Sequence, residues 1–171
     1  MDIPLYLFRG QTRRKGEKAN PAGGKLPGTW VYGGVLSGNG DKSIIYRTEG
    51  AAIRKHIVYT DTLGIFSGKR DKNGADIFSG DIIQFMNRYG YDCYAIVRFG
   101  EYEQDGSGNE YPPTRCLGFF VEVDSFTCPD GEDGAESFPV HLYRQNLLEV
   151  CEDCTVIGNL WDNDDLVEGR K

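Results

Sequence analysis

Four groups of residues in this chain have types and spacings that invite chemistry: a Cys-x-x-Cys pair, an Asp-Asn turn, a glycine loop and two histidines. Cys151-Glu152-Asp153-Cys154 offers two thiols. A structural zinc needs four N or S ligands in a tetrahedron, usually from two such pairs. The remaining ligand types, His56, Cys93, Cys116, Cys128 and His141, stand at no knuckle spacing from one another. The intervening Glu-Asp also opposes the lowered thiol pKa of a redox pair, so the pair reads as a coincidence of spacing. Asp71-Lys72-Asn73-Gly74 begins like a calcium loop, but the sixth and twelfth residues from Asp71 are Asp76 and Ile82. That loop needs Gly and Glu there. In residues 38–43 Asp41 separates Gly40 from Lys42-Ser43, which breaks the contiguous Gly-Lys-Ser/Thr of a phosphate loop. No Ser-His-Asp or Cys-His order involves His56 or His141. No catalytic residue, cofactor or metal is assigned, and the expectation is a protein that is not an enzyme.

The elements that hold these groups are short strands and turns, organised around residues 62–85. Two apolar segments, 63–66 and 82–85, flank a polar middle. Asn73-Gly74 signals a tight reversal, because both residues tolerate positive φ at little cost. A second punctuation, Ser79-Gly80-Asp81, precedes Ile82-Ile83, and Ile77 and Phe78 lie between the two turns. Further strands are expected at residues 3–9, 29–36, 43–47, 57–60, 91–99, 117–123, 140–143 and 155–160. In 91–99 the residues Tyr91, Cys93, Ala95, Val97 and Phe99 share one face, and in 117–123 Leu117, Phe119, Val121 and Val123 point inward. Residues 48–56 are ambiguous, with a helical turn as one reading. Exposed loops are expected at 10–28, which holds Arg13, Arg14, Lys15 and Lys18, and at 100–114 and 127–137, which are acidic.

The 171 residues suffice for one domain with a real core. With 23 Gly, 7 Pro and 12% aromatic residues, the composition favours an all-β or β-rich class. No apolar run reaches the roughly 18 residues that span a bilayer, and Met1–Gly10 lacks a basic leader with an apolar stretch. Five cysteines are an odd set and suggest reduced thiols. The expectation is therefore a cytoplasmic protein that does not enter a membrane. The net charge of −7 is uneven: residues 1–88 hold 14 Lys+Arg against 8 Asp+Glu, and residues 89–171 hold 5 against 18. Such a split suits a nucleic-acid-binding half, or two halves that interleave in one fold.

Residues Gly68-Lys69-Arg70-Asp71-Lys72-Asn73-Gly74, followed by Ile77-Phe78-Ser79-Gly80-Asp81-Ile82-Ile83, resemble the YopX-like family of bacteriophage and prophage proteins. Three other pieces agree in order: Phe8-Arg9-Gly10, Trp30-Val31-Tyr32-Gly33 and Val156-Ile157-Gly158-Asn159-Leu160. The basic and acidic loops look longer than in typical members. The resemblance implies a mainly β chain with a small SH3-like β-barrel core, long loops and extra strands, working in the cytoplasm of a bacterial host. It carries over no catalytic residue.

The leading expectation is a single domain, 1–171, serving as a phage-type accessory protein that binds a protein partner or itself. Trp30, Lys69, Arg70, Lys72, Arg88 and Tyr89 are the candidate contact residues, since aromatic residues and Arg concentrate at interfaces. The alternative is nucleic-acid binding by the basic N-terminal half.

Overall fold

Among the described residues, alternating β-branched and aromatic residues give strands almost everywhere, and helix is confined to single 3-10 turns. The computed structural model describes residues 7–12, 29–36, 40–87, 90, 92–104, 112–127 and 144–163, with the backbone alone at 124–127. Its strands are β1 (Phe8–Gln11), β2 (Trp30–Leu36), β3 (Lys42–Glu49), β4 (Ala52–Tyr59), β5 (Gly64–Arg70), β6 (Asp76–Phe78), β7 (Asp81–Met86), β8 (Asp92–Gln104), β9 (Thr114–Thr127), β10 (Arg144–Asn146) and β11 (Thr155–Asn159). The protein is mainly β, with two antiparallel sheets; among the described residues neither sheet closes into a barrel. No helix among them is long and apolar enough to cross a membrane. Packing divides the chain into two units, Met1–Phe66 and Ser67–Lys171.

In the first unit the strands run in the order β4-β3-β2-β1-β5. Val31, Ile45 and Val58 are buried on one face of this sheet, with Val35 and Leu63 packed against them. The stretch 48–56, where a helical turn was one expectation, is instead the Gly50-Ala51 reversal and most of β4. Eight cross-strand partners, from Lys42↔Tyr59 to Glu49↔Ala52, outweigh the modest helix propensity of Ala51-Ala52, and Ile53 and Ile57 favour the pleat. Gly33 lies so close to β3 that a Cβ there would sit 2.1 Å from the Tyr46 carbonyl oxygen. Close approach, rather than turn geometry, fixes that glycine.

In the second unit the end of β5 neighbours β6, and a five-stranded sheet runs β10-β9-β8-β7-β11. Ile77, Ile83, Phe85, Cys93, Ala95, Val97, Val121, Val123, Leu147, Val150, Cys151 and Cys154 form its core. The alternation expected for Cys93, Ala95 and Val97 is present. β8 and β9, however, are 13 and 14 residues long. Residues 100–104, expected to open an exposed loop, extend β8, and Tyr102 among them is buried, stacked 4.8 Å from Phe120. The apolar stripe on this arm outruns the core, so Leu117, expected inward, is 73% exposed. Residues 13–28, 105–111 and 128–143, which include most of the three expected loops and the 140–143 strand, lie outside the described residues, as do 1–6 of the first expected strand.

Two carboxylates tie the central motif together. Asp71 is buried; its Oδ1 accepts the N–H groups of Asn73 and Ala75, and its Oδ2 accepts that of Val156 in β11. Burial pushes its pKa up, but these backbone donors outweigh that effect and hold the carboxyl below its usual range. Asp81, also buried, accepts the Phe78 N–H at 2.7 Å. Gly74 takes φ +83° in the first turn and Gly80 takes φ +86° in the second. At Gly80 a Cβ would fall 2.1 Å from the Trp161 ring.

Candidate interaction surface

The strand registers determine what each face of the first sheet displays. Side chains two residues apart share a face, and cross-strand partners share it too. Leu36, Ile44 and Ile57 are cross-strand partners and so form one row on the face opposite Val31, Ile45 and Val58. The next rows on this face are Gly34, Tyr46 and Lys55, then Thr48 and Ile53. Tyr32 lies on it as well, aligned with Arg9 of β1. Ile53 is 74% exposed and Ile57 56%, and Leu36 and Tyr32 are exposed as well. A monomer has little reason to spend aliphatic side chains in this way, and contiguous exposed apolar patches mark interaction sites.

The strand that carries most of this surface is also the sheet edge: β4 ends the order β4-β3-β2-β1-β5. Edge strands present unpaired backbone groups and are usually blunted by charge. β4 carries Arg54, Lys55 and His56 and no carboxylate. On the core side of the hairpin tip Glu49 reaches Arg54 at 3.3 Å and His56 at 3.6 Å. Lys55 points to the apolar face between Ile53 and Ile57 and has no ion partner among the described residues. Lys42, on the same face, stands 5.4 Å above the Tyr59 ring.

A second exposed apolar surface lies on the β8–β9 arm of the other unit. Phe99 and Phe119 are cross-strand partners with ring centroids 4.9 Å apart, and Leu117 stands opposite Glu101. Phe99 is 51% exposed. Glu101 is exposed, and Glu103 faces Arg115 across 3.8 Å, where both side chains are largely in solvent. On the opposite face of the sheet Glu122 joins Arg98 at 3.2 Å and Arg144 at 3.1 Å.

The residues singled out in the sequence do not assemble into one site. Trp30 belongs to the first unit and is half-buried, with the Arg9 guanidinium 4.7 Å over its ring. Lys69, Arg70 and Lys72 belong to the second; all three are exposed, and Arg70 pairs with Asp76 at 2.8 Å. Arg88 and Tyr89 lie outside the described residues. Sequence reasoning missed Ile53, Lys55 and Ile57, because both faces of residues 52–59 mix apolar and polar types and only the register with β3 shows which are exposed. Burial pushes the Cys154 thiol up to about 12, helped by the Asp71 carboxylate, so it is a protonated core thiol at neutral pH. Among the described residues no three His, Cys, Asp or Glu side chains converge as a metal-binding group. No family model, no curated protein and no solved structure matches this chain.

Proposed function

We propose that this chain is a non-catalytic interaction module that works through the β2–β3–β4 face on a protein partner or on itself. The observation that carries the reading is the exposure of Ile53 and Ile57 on an edge strand, with Lys55 between them and Ile57 in one row with Ile44 and Leu36. Covering a full Ile side chain is worth about 1.5–3 kcal/mol, so a partner seated here recovers stabilisation that the chain alone forgoes. The same reading takes the protein as YopX-like, with an SH3-like barrel core and a role in the cytoplasm of a phage-bearing bacterium. Its support is the double-turn motif around Asn73-Gly74 and Gly80-Asp81. The test is cross-linking of the full chain, pure and in host cells, against the double variant Ile53→Lys/Ile57→Lys. The variant should keep its circular dichroism spectrum and lose the cross-linked products. Identical products from both chains would remove this face as the working surface.

A second reading, nucleic-acid binding, draws on one feature. Residues 1–66 hold 10 Lys+Arg against 5 Asp+Glu, and Tyr32 and Tyr46 share a face with Lys55. Aromatic rings beside cations suit single strands. Retention of an oligonucleotide should then fall steeply with salt as counterions are displaced, and a weak, salt-independent response would exclude it.

A further inference from the structure

We infer that the chain associates with itself head to tail, the β3–β4 face of one copy seating the β8–β9 arm of another. This rests on the reading of the β3–β4 face as a working surface and names its partner. The two surfaces are both apolar and opposite in charge. On β4 the outward order is Ile53, Lys55, Ile57: apolar, cation, apolar. On the arm it is Phe99, Glu101, Glu103, with Leu117 directly across from Glu101 and Arg115 across from Glu103: apolar, an anion unpaired among the described residues, then an anion that already has its cation, with an apolar neighbour. Both follow the same strand step of about 6.6–6.8 Å between alternate residues. Strand laid over strand therefore brings Lys55 to Glu101 while Ile57 meets Phe99 or Ile53 meets Leu117. Lys55 and Glu101 are both exposed, and neither has an ion partner among the described residues.

Charge decides against the symmetric alternatives. Two β4 edges paired antiparallel about Lys55 would set that residue against its own copy, and like charges directly opposite are destabilising. Two arms packed on each other about Glu101 would set this carboxylate against its own copy, since Glu103 already has Arg115 beside it. Only the unlike pairing neutralises both surfaces, and the whole units agree with it: residues 1–66 carry a balance of +5, and residues 67–171, with 9 Lys+Arg and 21 Asp+Glu, one of −12. A contact between different patches is heterologous, so it propagates into a ring or a filament rather than stopping at a twofold dimer.

The experiment is sedimentation velocity of the full chain as wild type, as Lys55→Glu, as Glu101→Lys, and as an equimolar mixture of the two variants. Both substitutions are at exposed positions, and circular dichroism checks that each chain is folded. The wild type should form species larger than a monomer that grow with concentration and shrink with salt. Each reversal alone should be monomeric, because each makes its face and arm alike in charge. The mixture should associate again, since every face then finds an arm of opposite sign. A wild type that stays monomeric, single reversals that associate normally, or a mixture that fails to recover would each overturn the proposal. A monomeric wild type whose Ile53→Lys/Ile57→Lys variant still loses a host cross-link would overturn head-to-tail association and leave the interaction reading standing.

Discussion

The two units solve the burial problem in opposite ways. The second packs twelve buried side chains into one cluster from β6, β7, β8, β9 and the segment 147–154. The first buries Val31, Ile45 and Val58 on one face of its sheet and leaves Leu36, Ile53 and Ile57 on the other. A sheet apolar on both faces either has a second layer over it or waits for one. The difference separates a unit with one large core from one that leaves aliphatic side chains exposed on its outer face. The turn chemistry follows the same division. The second unit holds its central turns with buried carboxylates at Asp71 and Asp81, whereas the β3–β4 hairpin tip relies on solvent-exposed Glu49–Arg54 pairing, which is worth under about 1 kcal/mol.

The contrast can be broken most forcefully at Gly80. Its positive φ and the Trp161 ring leave no room for a side chain, so Gly80→Val should cost roughly 3 kcal/mol or more from backbone strain and overpacking combined. Gly74 has a similar φ and open space around it, so Gly74→Val should lose only the backbone part. Equal losses in chemical denaturation would show that the Trp161 packing contributes nothing. The two tryptophans report one unit each, Trp30 the first and Trp161 the second, so single-Trp variants resolve which unit has moved. Val58→Ala, in the small core, should lower stability by about 2 kcal/mol, read in the Trp30 transition. Ile57→Ser, one residue away and exposed, should stay within about 0.5 kcal/mol; a large loss there would mean that the outer face is already part of a packed layer.

An effect of intermediate size belongs to Asp71→Asn. The amide keeps one acceptor oxygen but turns an NH2 group toward a backbone N–H, leaving a donor unmatched at a cost of about 1–2 kcal/mol at neutral pH. The sign of the pH dependence follows from the lowered pKa. Asp71 contributes its full stabilisation above the unfolded carboxyl value of about 3.9 and loses it as pH falls through the lower folded value. Wild type and Asp71→Asn should therefore converge in acid. Curves that stay parallel down to acid unfolding would remove the carboxylate from the account.

The strands of the second unit were legible because their alternation coincides with burial. Cys93, Ala95 and Val97 read as one face and pack as one. The ends of the elements were not legible, since Gly100, Glu101 and Glu103 look like loop residues and become strand only because β9 pairs with them through Gln104↔Thr114. β4 was obscured by its composition: Thr48-Glu49-Gly50-Ala51-Ala52 suggests a turn or a helix start, and cross-strand pairing, which no local window contains, decides the matter. The exposed apolar row was hidden for the same reason. Ile44 and Ile57 become neighbours only once the β3–β4 register is known, whereas Trp30, conspicuous by type, proves to lie under Arg9.

The bond from the Val156 N–H to Asp71 spans 85 residues of sequence, and β7 waits nearly as long for its neighbour β11. A ribosome adds roughly 5–20 residues per second, so several seconds separate the synthesis of the carboxylate from that of its last donor. During that interval the N–H and C=O groups of β7 that β11 will engage stand open, beside Ile82 and Ile83. The first unit, whose β2, β3 and β4 are sequential hairpin neighbours, has no such delay. The nascent chain therefore completes the sheet that exposes Leu36, Ile53 and Ile57 before its deepest core can close.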